Sequence, residues 1–278
     1  MKFYLGTHLW TWVTCPRFTG VPLFISNNSL KGRKSPFPPA QTDWALDSGG
    51  FTEIKMHGRW TVTPDDYLSK AQQYSNELGR LKFIAPMDWM CEPPMLERTG
   101  LCVKEHQERT VANFLDLRDR APHLPIIPVL QGWSVNDYHY CVRLYENAGI
   151  DLTLEPTVGV GSVCRRQATS EIDALFRELD QHGLQLHGFG VKSQGLAKYG
   201  PFLSSSDSMA WSFTARYADP LPGCEGHKNC ANCKTYALRW RTSLLSKTRA
   251  PAPLGYDNDV ATGAAQSKEP DNYADLRT

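Results

Sequence analysis

Short apolar runs separated by helical stretches constrain this chain more than any other feature. The runs are "FYLG" (3–6), "WALD" (44–47), "KFIAPMD" (82–88), "PIIPVLQ" (125–131), "LEPTVGVG" (154–161), "LQLHGFGV" (184–191) and "FLSSSD" (202–207). Between several of them the hydrophobic period turns helical and carries end signals. "TPDDYLSKAQQYSNELG" (63–79) offers Thr63 as N-cap, Pro64 at the first helical position and Gly79 as the stop. The stretches 104–120, 134–149 and 169–183 follow the same pattern. Alternation of this kind predicts parallel strands joined by crossover helices. Seven strand candidates favour a (β/α)8 TIM-type barrel over an open doubly wound sheet, with the eighth strand unplaced.

The length of 278 residues suits such a barrel, which takes roughly 250 residues, plus a small appendage. The expected division is a barrel over 1–249, carrying a small C-terminal zinc-binding insertion at 224–233, and a flexible tail over 250–278 rich in Pro, Ala, Gly, Asp and Ser. Segment 19–39 reads as a long Gly, Pro and basic loop that faces substrate. A net charge of +1 excludes a global field that draws polyanions, so any nucleic acid must be held by local patches. Candidates are Lys31, Arg33 and Lys34; Arg165 and Arg166; and Lys234, Arg239, Arg241, Lys247 and Arg249, the last group interleaved with Tyr236 and Trp240. A solvated helix face is the alternative for that last group. No apolar run reaches membrane-spanning length, and "MKFYLGTHLW" lacks a long apolar stretch with a small-residue cleavage site, so a cytoplasmic protein is expected.

Polar residues close the predicted strands in a consistent way: Asp47, Asp88, Gln131, Gly161 with Ser162, and Asp207. In a parallel barrel these positions share one rim, where the active sites of the fold are built. For any single position a turn residue at a strand end is an equally good reading, and for five together it is weaker.

The motifs carry a resemblance. "DSGGF" (47–51), "VLQG" (129–132), "VGVGS" (158–162) and "SDSMAWSFTAR" (206–216), in that order, resemble the motifs of the tRNA-guanine transglycosylase superfamily over roughly residues 40–245. The chain is shorter than the tRNA enzymes and shows no recognisable C-terminal RNA-binding module. In that it is more similar to the phage and bacterial enzymes that insert a 7-deazaguanine derivative into DNA, a chemistry related to queuosine formation. The resemblance implies Asp207 as nucleophile and Asp47 as general acid/base. Ser48, Gly49, Gly50, Phe51, Asp88, Gln131, Gly132, Gly161 and Ser162 would then contact the base. It also implies DNA as partner, with tRNA the alternative, a 7-deazaguanine-type free base, and an oligomer or partner subunit as a further possibility.

The residue types suit that chemistry independently. Base exchange at C1′ passes through oxocarbenium-like states that a carboxylate stabilises and then traps. A second carboxylate protonates the leaving base and deprotonates the incoming one. Gly49 and Gly50 would let a planar heterocycle slide against backbone, with Phe51 supporting the pocket or serving as a core aromatic. One N-glycosidic bond replaces another, so no nucleotide cofactor is expected, and no GxxxxGK[ST] sequence is present. A non-catalytic nucleic-acid-binding paralogue would not need both Asp47 and Asp207. A glycosidase using the two as its carboxylate pair would leave Gln131 and the glycine loop without a role.

"CEGHKNCANC" places Cys224, His227, Cys230 and Cys233 where four ligands could surround a structural Zn²⁺, with reduced surface thiols as the alternative. The tRNA enzymes take their histidine ligand from well downstream, and no histidine follows His227 here, which leaves the fourth ligand open. His8, His57, His106, His123, His139, His182 and His187 lack metal-ligand spacing and read as structural or surface residues.

Overall fold

The computed structural model describes residues 1–164, 166 and 169–249. Arg165 and the expected tail over 250–278 lie outside the described residues. Eight strands form one sheet: β1 (Lys2–Thr7), β2 (Leu23–Ser26), β3 (Trp44–Asp47), β4 (Leu81–Ile84), β5 (Val129–Leu130), β6 (Val158–Val160), β7 (Leu186–Gly188) and β8 (Ser205–Ser208). Their order is β4-β3-β2-β1-β8-β7-β6-β5, and every pairing is parallel. The sheet curls until its edges touch. Ile84, ending β4, forms an isolated parallel bridge with Ile126, just ahead of β5. Ile84 N–H donates to Pro125 O (2.9 Å) and Ile127 N–H to Ile84 O (3.1 Å).

The strand that the sequence pattern leaves unplaced is β2, inside the segment expected to be a substrate-facing loop. Its flanks explain why it is hard to see. Two 3-10 turns (Trp10–Trp12 and Pro16–Phe18) precede it and a one-turn helix (Asn27–Leu30) follows, so no helical period marks its crossovers. Basic residues of that segment are also engaged structurally. The Arg33 guanidinium lies 4.4 Å from the Trp10 ring centroid and donates to Pro36 O at 2.7 Å, and Lys31 pairs with buried Glu53 at 3.9 Å.

Period-two alternation sorts the strand side chains onto two faces. Phe3, Leu5, Leu23, Ile25, Trp44 and Leu46 join the layer between sheet and helices, whereas Tyr4, Phe24, Ala45, Phe83, Ile127 and Val129 form a separate cluster inside the curl. One more inward step toward the C-terminal end of a strand meets Ser26 after Phe24, Asp47 after Ala45, Gln131 after Val129 and Gly161 after Gly159. Register supports the grouping, since Ser26 pairs with Asp47 and Tyr4 with Asp207. Pleat and common strand direction therefore deliver these groups to one interior rim.

The outer helices form where capping and periodicity place them. In the helix Pro64–Leu78, Thr63 accepts from Asp66 N–H at 3.2 Å, and Tyr67, Ala71, Tyr74 and Leu78 supply the buried stripe. Ser134 and Asp137 make a reciprocal capping box at the start of Val135–Asn147. After β8 the helix Ala210–Tyr217 is anchored by Trp211, stacked on Trp12 at 5.3 Å and donating its indole N–H to Gly6 O at 2.8 Å. The cysteine segment follows, then the helix Lys234–Arg249, whose Arg241 reaches Phe3 O on β1 at 3.4 Å. Among the described residues no helix is long and apolar enough to cross a membrane.

Candidate active site

A cavity of about 460 Å³ opens at the C-terminal ends of the strands. Asp47, Ser48, Phe51, Asp88, Gln131, Gly161, Ser162 and Asp207 all line it, so eight of the residues singled out from the sequence converge. Phe24, Ser26, Met90, Glu92 and Phe189 complete much of its wall.

One side of the cavity is a hydrogen-bonded ladder. Ser48 Oγ donates to Asp88 Oδ1 (3.0 Å), and Gln131 Nε2 donates to Asp88 Oδ2 (2.7 Å). Ser162 Oγ lies 2.7 Å from Gln131 Oε1 and 2.9 Å from Glu92 Oε2, and accepts from Cys91 N–H at 2.8 Å. A hydroxyl has one proton, so Ser162 serves one of these two acceptors at a time. Burial pushes the Asp88 carboxyl up to about 7, and nearby Asp47 adds to the rise; the bonds from Ser48 and Gln131 offset part of it. Asp88 therefore changes charge near neutrality.

Asp47 ends β3 beside the paired end of β2. Burial raises its carboxyl above the ordinary carboxylate range, and the charge of Asp207 adds to this. Hydrogen bonds from the Ser26 side chain and the Gly49 N–H pull the other way. Asp207, on β8, accepts from Gly190 N–H at Oδ1 (3.0 Å), and His187 Nε2 lies 3.3 Å from the same oxygen. Oδ2 has no hydrogen-bond partner among the described residues. The cavity thus holds one carboxylate with an unengaged oxygen beside another whose carboxyl is raised by burial.

The glycines have other duties than the sequence pattern proposes. Gly49 has φ +82 at the helix N-cap, and a Cβ there would sit 2.6 Å from Asn28 Nδ2. At Gly50 a Cβ would meet the Trp60 ring at 2.9 Å, and at Gly132 it would meet Asp137 Cβ at 2.9 Å and Tyr138 N at 3.0 Å. None of the three lines the cavity; each permits close packing behind it. Gly161 does reach the wall, and a Cβ there would lie 2.4 Å from Gln131 Nε2. Its N–H is committed to Leu130 O (2.9 Å) and its carbonyl accepts from Tyr138 OH (2.7 Å), so its backbone is already engaged on both sides. Ser162 follows in the left-handed region at φ 57.

Four residues escape the sequence patterns. Ser26 belongs to the unrecognised strand, and Glu92 precedes two prolines and reads as an ordinary helix start. Gly190 acts through its backbone N–H. His187 sits on β7 facing inward, where its place in a strand carries the signal and metal-ligand spacing does not.

The ligand atoms of Cys224, His227, Cys230 and Cys233 lie within 4.8 Å of one another. The Cys224 and Cys233 sulfurs are 3.8 Å apart, the edge of a tetrahedron with metal–sulfur bonds of about 2.3 Å. His227 Nε2 is 3.2 Å from Cys230 Sγ. These four groups fit a metal ion. The segment is tied to its surroundings by Ser212 Oγ, which donates to Ala231 O at 2.8 Å.

No curated protein matches the chain. A family model described as DeoxyPurine in DNA protein A, or DpdA, matches residues 1–275. The chain belongs to the DpdA family, the DNA-deazapurine branch of the tRNA-guanine transglycosylase superfamily.

Proposed function

We propose that this chain replaces guanine in DNA with a 7-deazaguanine derivative by double displacement at C1′, through a covalent glycosyl-aspartate. The observation that carries the reading is that one cavity holds both Asp207, with one carboxylate oxygen anchored and the other unengaged, and Asp47, whose carboxyl burial raises above the ordinary carboxylate range. Family membership supports DNA as the substrate. The curled sheet with its bridged edges is taken as a (β/α)8 barrel, with the site on the rim usual for that fold.

In the first step Asp207 Oδ2 attacks C1′ as the C1′–N9 bond breaks. The electron pair of that bond leaves with guanine, and the Asp47 proton neutralises the departing base. In the second step the incoming base returns its N9 proton to Asp47. Its N9 attacks C1′ and expels the Asp207 carboxylate. Two inversions retain the anomeric configuration. Asp88 accepts from the ring N–H and exocyclic amino group of the base, while the Gln131 amide and Ser162 N–H meet its carbonyl. Cys224, His227, Cys230 and Cys233 would hold a Zn²⁺ in a structural role, with no open position for water activation, in the segment that Ser212 Oγ ties to the helix after β8.

Three outcomes are expected. Labelled guanine or a 7-deazaguanine base should enter DNA in the presence of the purified protein, measured side by side on duplex DNA, single-stranded DNA and bulk tRNA at one low salt concentration. Incorporation confined to tRNA would overturn the DNA assignment. Base affinity should strengthen as pH rises through about 7, because only ionised Asp88 accepts both base donors. Asp88→Asn should weaken binding and flatten that profile, and calorimetric titration showing affinity that falls over the same range would contradict the assignment. Metal analysis of protein purified without chelators should find about one zinc per chain, in keeping with a closed four-ligand site. Less than about a tenth of an equivalent would overturn the zinc reading.

A further inference from the structure

We propose that His187 is a positioning residue that fixes which oxygen of Asp207 attacks the sugar; this rests on the reading of Asp207 as nucleophile. The imidazole is fully buried, with its ring centroid 4.9 Å from that of Phe83, 4.8 Å from Phe189, 5.8 Å from Phe24 and 5.9 Å from Tyr4. Apolar packing alone would be served as well by phenylalanine, so the two nitrogens need another explanation.

Nδ1 lies 2.8 Å from the Ser205 hydroxyl, on the residue that pairs with His187 in the sheet. Nε2 lies 3.3 Å from Asp207 Oδ1. Its direction falls short of a well-aligned hydrogen bond, and no other acceptor reaches it. A bare nitrogen lone pair facing a carboxylate would be repelled, so Nε2 carries a hydrogen, and Nδ1 pairs with the Ser205 hydroxyl. The result is a buried donor, aimed at the proposed nucleophile and incompletely satisfied, of the kind that calls for a functional reason.

That reason follows from the two oxygens of Asp207. Gly190 N–H already holds Oδ1, and His187 Nε2–H approaches the same atom, so both donors mark Oδ1 as the anchored oxygen. Oδ2 is left to the sugar. A small rotation of the carboxylate as Oδ2 bonds to C1′ brings Oδ1 into line with the waiting N–H. The same donor then receives returning charge when the incoming base expels the carboxylate. His187 touches neither base nor sugar in this scheme and acts through Asp207 alone.

The test compares His187→Phe, which keeps the aromatic packing, with His187→Gln, which keeps an N–H at similar reach. The readout is the single-turnover rate of covalent attachment of a labelled DNA oligonucleotide to Asp207, alongside DNA affinity and Tm. His187→Phe should slow attachment on the order of 10²-fold with DNA affinity unchanged and Tm equal or higher, since misplacing a reacting group costs rate without costing binding. His187→Gln should recover at least about tenfold of that loss. Should His187→Phe fail to fold, Ser205→Ala carries the test, with slower attachment expected from a ring whose tautomer is no longer fixed. Wild-type rates in His187→Phe, or equal losses in the Phe and Gln variants, would overturn the proposal while leaving Asp207 as nucleophile. A wild-type adduct mapped to another residue would overturn both.

Discussion

Four carboxylates, Asp47, Asp88, Glu92 and Asp207, line one cavity, and the rest of the site is arranged around that constraint. Burial alone disfavours ionisation of Asp47 and Asp88, and their neighbouring charges add to the cost. With Asp88 pushed from 3.8 to about 7, ionising it there costs roughly 4 kcal/mol more than in water. That is a large share of the ~5–15 kcal/mol by which a domain is stable. Because the folded-state value lies above the unfolded one, this group's contribution to stability is fully present below about 4 and is lost as pH rises through about 7. A fold retains such a cluster when the cluster has work to perform. Here the environments of the three aspartates differ: burial and the charge of Asp207 raise the Asp47 carboxyl, Asp88 is pushed up to about 7, and Asp207 is held through Oδ1 by Gly190 N–H.

The scaffold makes that concentration possible by collecting strand ends. All eight strands run in one direction, so their C-terminal ends meet at one rim, and the pleat turns alternate residues inward. Asp47 and Ser26 come together by register, as do Asp207 and Tyr4. The aromatic cluster beneath excludes water below the carboxylates and encloses His187. The cysteine segment is tied to the helix that follows β8 through Ser212 Oγ, which donates to Ala231 O.

Much of this is legible in the sequence because it rests on short-range patterns. Seven strands announce themselves by apolar runs bounded by turn residues, and the cap at Thr63 fixes its helix directly. The strand β2 stays hidden because its connections are 3-10 turns and one helical turn, which carry no period to read. Gly49, Gly50 and Gly132 read as base-contacting positions, yet none of them lines the cavity, and the atoms that crowd them, Asn28, Trp60 and Asp137, are fixed only by tertiary packing. The pairing of His187 with Asp207 joins residues twenty positions apart, and the contact of Glu92 with Ser162 spans seventy. Neither spacing has a motif, so side-chain direction across the curled sheet is needed to bring them together. Arg33 shows the converse: it reads as part of a basic patch, and the structure stacks it on Trp10.

Double displacement requires that Asp207 become covalently attached to the sugar, and peptide mass mapping of a trapped protein–DNA adduct reads that bond out. Withholding an incoming base after the first displacement, then denaturing and digesting the complex, should leave the deoxyribose-linked strand on the peptide that contains Asp207, with no adduct in Asp207→Ala. An adduct on Asp47 or Asp88, or full base exchange by Asp207→Ala, would contradict the account.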